Sequence, residues 1–507
     1  MSSHRKVAAV LIIFIIVCLQ LTFLDGRVEA KKANQTTTRQ KIHSKVFNGI
    51  LNDHSRISGY ATQVSLTAGQ PLKLKVNSNQ SWNLEIYRQG FYRGSNHDGK
   101  IIYRKNWITR SYQPAFRFIS ETRTVDAGNW NVTISIPTLH WTTGLYLARL
   151  SMYGNVGFIP FVIRSEDFTN KTVYVASFQT MQAYNNWGGY SGYRGLSNSN
   201  GERASLLSFD RPWGNRGLQQ YLYNEVGVAK TIDELDKNVA WTTDYDISVG
   251  NSDITHARTI VTSGHSEYWS PENRDQFNQA IENGSNVMFM GGNTSYWKIR
   301  YQTESNGVRR GFYVYKSHSD PISSTNPTLA THLWRKGPYS NPESNLTVGM
   351  YNHSAMHCGE LQDFPSQTIN ASWFGFKSLK LKNGYLIKGL ANNEVDQIID
   401  EAPIPLSAEV LLHSSFRCRG NSNVVHRLNY DMTYYTTASN SAVWSAGTVA
   451  WGCALSRFCA AAHNQNAKTT AFVYTVTKNV LQAFSNKNVA TQYPSKSNVT
   501  LVYPNFK

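Results

Sequence analysis

Acidic side chains are scarce in this 507-residue chain: 33 Asp and Glu stand against 50 Lys and Arg, a formal net charge of +17. The excess base is scattered and forms no long run. A solvated basic surface follows, with attraction to acidic glycans or phospholipid heads as the sharper alternative. Cysteine is rarer still, at five residues. Several catalytic signatures are missing as well. No Gly-x-Ser-x-Gly elbow, His-Glu-x-x-His helix, Gly-x-x-x-x-Gly-Lys phosphate loop or dinucleotide fingerprint stands at a suitable strand–helix junction. The turn after Val261 holds His265 and Ser266 rather than a cysteine nucleophile. Metal-assisted hydrolysis, general acid/base work and a binding site without chemistry are the classes left. There is no internal repeat or coiled coil, and one apolar run alone is long enough to cross a bilayer.

That run, Val7 to Leu24, follows His4-Arg5-Lys6 and precedes the small-residue stretch Val28-Glu29-Ala30. Residues 1–30 therefore read as a signal peptide, and the length also suits an uncleaved single-pass anchor. Either way the remainder is expected in the secretory lumen or outside the cell, which argues against nucleic acid as a partner. Cys18 falls in this segment. Cys358, Cys418, Cys453 and Cys459 remain, an even number in an oxidising compartment, so two disulfides are expected with three connectivities open. Asn-x-Ser/Thr acceptors at Asn34, Asn79, Asn131, Asn170, Asn283, Asn293, Asn345, Asn352, Asn370 and Asn498 suit a secreted glycoprotein.

After the polar, basic stretch 31–57, read as a flexible arm, the pattern from 58 to 165 is one of short alternating runs. Leu72-Lys73-Leu74-Lys75-Val76 and Trp82-Asn83-Leu84-Glu85-Ile86-Tyr87 are examples, with Gly, Asn and Asp between runs. Alternation at this spacing predicts an immunoglobulin-like antiparallel β-sandwich. Val173-Tyr174-Val175-Ala176-Ser177-Phe178, apolar throughout, then opens a parallel α/β domain expected over 172–487, with 488–507 as a tail. Helices are predicted at 217–226 and 470–484, and a strand over Gly311-Phe312-Tyr313-Val314-Tyr315-Lys316.

Within that domain, Thr259-Ile260-Val261-Thr262-Ser263 reads as a buried strand and Ser270-Pro271-Glu272 as a helix start, with a capping hydroxyl, proline and an acid in the first turn. The helix, roughly 271–283, places Phe277, Ala280 and Ile281 on one face, and Asn286-Val287-Met288-Phe289-Met290 leads to Gly291-Gly292-Asn293. In such a strand-helix-strand unit, groups just past the strand ends share one ligand-binding edge. His265, Glu267 and Asn293 lie there, and Tyr184 follows the strand at 173–178. Imidazole and carboxylate two positions apart can ligate a metal or form an acid/base pair; they can equally cap the helix and bond backbone. Asn293 alone would be a turn former.

The blocks Gln182-Ala183-Tyr184-Asn185-Asn186-Trp187-Gly188-Gly189, Ser208-Phe209-Asp210-Arg211-Pro212, Gly264-His265-Ser266-Glu267-Tyr268-Trp269-Ser270-Pro271-Glu272 and Asn293-Thr294-Ser295-Tyr296-Trp297 resemble, in order and spacing, the large (β) subunit of N,N-dimethylformamidase and its C-terminal-domain relatives. Gly144-Leu145-Tyr146, Thr331-His332-Leu333-Trp334-Arg335 and Gly447-Thr448-Val449-Ala450-Trp451-Gly452 support the match, which covers roughly 58–485. The resemblance implies a β-sandwich on a glutamine-amidotransferase-like domain, and amide hydrolysis at a mononuclear iron held by two tyrosines and a glutamate. Carried over, the glutamate is Glu267 and one tyrosine Tyr184. The second is best matched by Tyr146, with Tyr153 near enough to leave the assignment open. His265 and Asn293 match polar residues of that site, and Lys316 is a looser match.

The expected partner is a small-molecule or conjugated amide, on a chain that can also self-associate. Known relatives work with a small partner subunit, whereas this chain carries a secretory signal and glycan acceptors, so dimethylformamide itself is not the expected substrate. The competing reading is a non-enzymatic secreted or surface protein that binds acidic glycans through a basic face of the sandwich.

Overall fold

Leu72, Leu74 and Val76 are buried along strand Leu72–Ser78 while Lys73 is exposed. A period of two leaves a sheet with one apolar face that another layer must cover. In the computed structural model the cover is a second sheet. Strands Ile57–Ala61, Leu72–Ser78 and Ile134–Ile136 make one sheet; Ser65–Thr67, Asn155–Arg164, Gly144–Met152, Trp82–Gln89 and Gly99–Ile108, in that order, make the other. Leu74 and Val76 of the first share a core with Leu84, Ile86, Ala148, Leu150, Ile159 and Phe161 of the second. Pairing is antiparallel except where Ser65–Thr67 lies parallel to Asn155–Arg164.

The structure describes residues 47, 49–51, 56–92, 99–198, 200–303, 309–316, 319–337, 340–353, 364–392, 394–400, 402–419, 425–462, 465–486 and 488–506. The expected signal segment 1–30, most of the arm 31–57 and Cys358 lie outside them. Gly49–Phe91 and Gly99–Lys507 cluster as one compact unit. Among the described residues no helix is long and apolar enough to cross a membrane.

Continuous apolar strands are buried on both faces, as Thr172–Ala176 and Asn286–Phe289 are throughout. They belong to a nine-stranded sheet ordered Val239–Thr243, Thr172–Ala176, Thr259–Thr262, Asn286–Phe289, Ala442–Ser445, Val425–Thr436, Glu409–Arg419, Phe364–Thr368, Leu386–Ala391. The first five run parallel, and every pairing beyond Ala442–Ser445 is antiparallel. The expected parallel sheet is thus a mixed one. Connection length is the reason: Val425–Thr436 returns as Ala442–Ser445 through 437–441, too short for the crossover that parallel neighbours need. The architecture is mixed α and β with a large β share.

Helix Pro271–Glu282 begins as its sequence implies, with the Ser270 hydroxyl accepting from the Asn273 N–H and Pro271 in the first turn, and it buries Phe277, Ala280 and Ile281. The helix predicted at 470–484 spans Ala467–Phe484, capped by Asn466. The one predicted at 217–226 is longer, running from Asn215–Gln220 through a wide turn at Tyr221–Glu225 into Val226–Leu235. The strand predicted at 311–316 covers Gly311–Tyr313. Cys453 and Cys459 are bridged, tying helix Val449–Leu455 to Arg457–Ala462. The tail is pinned: the Asn498 side chain accepts from the Val410 N–H at 2.7 Å and donates to its carbonyl at 2.9 Å.

Candidate active site

Three neighbouring parallel strands, Thr172–Ala176, Thr259–Thr262 and Asn286–Phe289, end on the same edge of the sheet. Tyr184 closes the helix Phe178–Tyr184 that follows the first, His265 and Glu267 follow the second, and Asn293 follows the third. The latter two turns are pressed together. A Cβ at Gly291 would stand 2.1 Å from the Gly264 carbonyl oxygen, so that position takes no side chain. Beyond them, Tyr268–Trp269 pairs in parallel with Trp297–Lys298. Glu267 is anchored by its own backbone: its N–H donates to the Thr180 hydroxyl at 3.0 Å and its carbonyl accepts from Tyr296 and Trp297, both at 2.9 Å.

The Glu267 carboxylate, 2 % exposed, is the centre of the cluster. The Tyr184 hydroxyl donates to it at 3.2 Å, and the Tyr193 hydroxyl lies 2.8 Å from both of its oxygens. The two phenol rings lean on one another with centroids 4.5 Å apart. His265 Nε2 sits 3.6 Å from Glu267 and 2.9 Å from Glu394. Its Nδ1 faces Gln220 Oε1 at 3.0 Å, an arrangement that turns Nε2 toward the carboxylates. Asn293, at a φ of 53°, donates its backbone N–H to Asp396 and its side-chain amide to Glu394, each at 2.8 Å. Its Oδ1 is buried without a partner. Lys316 places its ammonium 3.4 Å from the centre of the Tyr193 ring, with Tyr268 and Trp297 at 5.1 and 5.0 Å.

Burial sets the electrostatics. It pushes Glu267 above the ordinary carboxylate range, helped by the Glu394 charge and opposed by His265 and Lys316. Burial also acts to raise Glu394, yet the His265 charge and hydrogen bond, the Asn293 amide and Lys316 hold it below that range. For His265 the loss of water favours the neutral ring, and Glu394 first, then Glu267 and Asp396, overcome it and raise the imidazole. His265 and Glu394 therefore stand as imidazolium and carboxylate. Burial lowers Lys316 to about 7 against the pull of Glu267 and Glu394. Tyr184 and Tyr193 are raised well above their usual value by burial and by Glu267, so both phenols keep their protons and donate them.

Tyr184, Glu267, His265, Asn293 and Lys316 thus come together, and Tyr146 does not. Its ring stacks between Trp141 and Phe161 in the sandwich core, with centroids at 5.4 and 5.3 Å, and its hydroxyl donates to the Thr142 carbonyl at 2.6 Å. Tyr146 belongs to strand Gly144–Met152, whose first five residues are all buried, and it sits among apolar neighbours. Tyr153 is 77 % exposed. The tyrosine at the site is Tyr193, nine positions past Tyr184 and just beyond the Gln182-to-Gly189 block. Sequence reasoning also missed Glu394, which follows strand Leu386–Ala391 in the antiparallel half, where strand direction gives no reason to look. Among the described residues no three of His, Cys, Asp and Glu are grouped to hold a metal ion; the phenols are what extend the Glu267 donor set to three oxygens.

No curated protein is significantly similar in sequence. Among solved structures, that of an uncharacterized protein from Bacillus anthracis str. Ames is matched at 12 % identity and a TM-score of 0.14, over 20 % of this chain and 77 % of that one, a likeness too slight to carry an argument. The family described as N,N-dimethylformamidase beta subunit-like, C-terminal, matches residues 83–467, a stretch that includes every residue of the cluster from Tyr184 to Glu394. By that match, over most of its length, the chain belongs to the N,N-dimethylformamidase beta subunit-like family.

Proposed function

We propose that the chain is a hydrolase of carboxamide C–N bonds that uses a single iron ion held by Tyr184, Tyr193 and Glu267. One observation carries the reading: two phenol hydroxyls and a carboxylate converge within 2.8–3.2 Å beside a His265–Glu394 ion pair of 2.9 Å. Hard oxygens of this kind fit ferric iron, and the two shared phenol protons occupy the place a cation would take. Bound there, the metal would supply Lewis acidity, polarising an amide carbonyl and acidifying water.

The chain's own groups do the rest. Glu394 holds the protonated His265 Nε2 in place, and that nitrogen gives its proton to the departing amine and recovers one from the water that has added to the carbonyl. Asn293 keeps Glu394 aligned through Nδ2, and its unpartnered Oδ1 accepts an N–H of the substrate or of water. Lys316 offers positive charge next to Tyr193, where charge develops on the carbonyl oxygen. An immunoglobulin-like sandwich followed by a glutamine-amidotransferase-like domain is the fold reading supported by the two-sheet core and the five parallel strands. The segment 1–30 supports a place in the secretory pathway or outside the cell.

Glu267→Ala and Tyr184→Phe should each lower iron in elemental analysis, remove visible phenolate-to-iron absorption, and abolish amine release from a panel of formamides and acetamides. Variants that keep both metal and activity would overturn the reading.

A further inference from the structure

Behind the loop that carries Tyr193 lies a cavity of about 640 Å³, within the range of roughly 300–1,000 Å³ usual for ligand sites. It is walled on one side by Ile57 to Gly59 and Val156 to Phe158 of the sandwich. On the other side are the 186–198 loop and the start of helix Asn215–Gln220. We propose that it binds a polyhydroxylated carboxylate, a sugar acid of the uronate type, either free or at the end of a glycan.

Charge argues for the anion. Arg194 and Arg216 both line the cavity, and among the described residues that line it there is no Asp or Glu. Arg194 Nη1 donates to Asn198 Oδ1 at 2.7 Å, while the backbone N–H of Arg216 is held by Asn186 Oδ1 at 3.2 Å, leaving its exposed guanidinium to a ligand carboxylate. The hydroxyls are argued by Asn215, whose Oδ1 is buried without a partner at the cavity wall. A buried acceptor left unmade is costly, and a ligand O–H would satisfy it. The ring is argued by two indoles. Trp187 is set edge-on to Phe116 and Trp130, with interplanar angles of 65° and 87°, and Trp213 to Phe178 at 81°. Both are fixed before a ligand arrives, which lowers the ordering cost of stacking a sugar's C–H face.

None of these residues belongs to the Tyr184–Tyr193–Glu267 cluster, so binding can be read whatever becomes of the hydrolase assignment. The test is isothermal titration of the full chain with D-glucuronate, D-glucose and a disaccharide ending in glucuronate. Saturable glucuronate binding is expected, with glucose weaker by roughly tenfold or more, the difference one charged hydrogen-bonded pair makes. Arg216→Gln, at an exposed position, should weaken glucuronate by a similar factor. Asn215→Asp should do so too, since an acid suits a helix start but repels the anion. Tighter binding of the disaccharide assigns a glycan end, and equal or weaker binding assigns the free acid. Absence of saturable glucuronate binding, equal affinity for glucose, or indifference to both substitutions would overturn the proposal.

Discussion

Tyr146 and Tyr193 are both enclosed phenols, and they do opposite work. In the sandwich, the Tyr146 hydroxyl reaches a backbone carbonyl four positions earlier in the chain, and its ring is one plate in an aromatic stack. At the sheet edge, the Tyr193 hydroxyl reaches the Glu267 carboxylate, 74 positions away, beneath a lysine ammonium. A buried phenol closed on its local backbone is packing; one closed on a distant buried carboxylate brings two ionisable groups into a site where burial shifts both. The sandwich core is packed from aliphatic and aromatic side chains such as Leu74, Leu84, Ile86 and Phe161, and Tyr146 lies among them. By contrast, the edge collects Glu267, Glu394, His265, Lys316 and Asp396, and every one of them is displaced from its ordinary pKa.

The largest break in that contrast should come from Tyr193→Phe set against Tyr146→Phe. Loss of the Tyr193 hydroxyl is expected to remove bound iron and all measurable amide hydrolysis, by elemental analysis and amine release. Next, Glu394→Gln should keep the metal but cut kcat by roughly 10²–10⁴, the usual worth of a positioned proton-transfer pair. Equal loss of metal in that variant would place Glu394 among the ligands instead.

A smaller effect concerns stability. Glu225 accepts from the Ser177 N–H at 3.0 Å and from the Tyr174 hydroxyl at 2.7 Å, and burial raises its pKa from 4.5 to about 7 despite those bonds. A carboxyl raised in the folded state binds its proton more tightly there than in the unfolded chain. Its contribution is therefore complete below about pH 4.5 and falls as pH rises toward 7, by an amount on the order of 3 kcal/mol. Glu225→Gln should flatten the decline in urea-unfolding free energy across that window; an unchanged slope would assign the pH dependence elsewhere. Smallest of all, Tyr146→Phe should cost about 1 kcal/mol, one neutral hydrogen bond, and leave metal content and kcat unchanged. Loss of iron there would reverse the roles given to the two tyrosines.

Much of this was legible in the sequence. Alternation in Leu72–Ser78 and the apolar run at Thr172–Ala176 distinguish a one-faced sheet from a two-faced one, because side chains alternate along every strand. Ser270 and Pro271 mark a helix start because capping is local chemistry. The gathering of Tyr184, His265, Glu267 and Asn293 on one edge follows from strand polarity in a parallel sheet. These determinations need no partner further off than the next strand.

What only the tertiary structure decided depends on contacts between segments that no local rule relates. The antiparallel half of the sheet was one such outcome, decided by where the strands 364–436 pair rather than by their own patterns. The choice of Tyr193 over Tyr146 was another, since both stand in aromatic-rich stretches and only the fold of the 185–198 loop brings one hydroxyl to Glu267. Glu394 came from the far side of the sheet, carried in by the loop after Leu386–Ala391. Residue type and spacing record which groups can do chemistry, while a shared buried carboxylate, reached through three-dimensional packing, decides which of them are brought together.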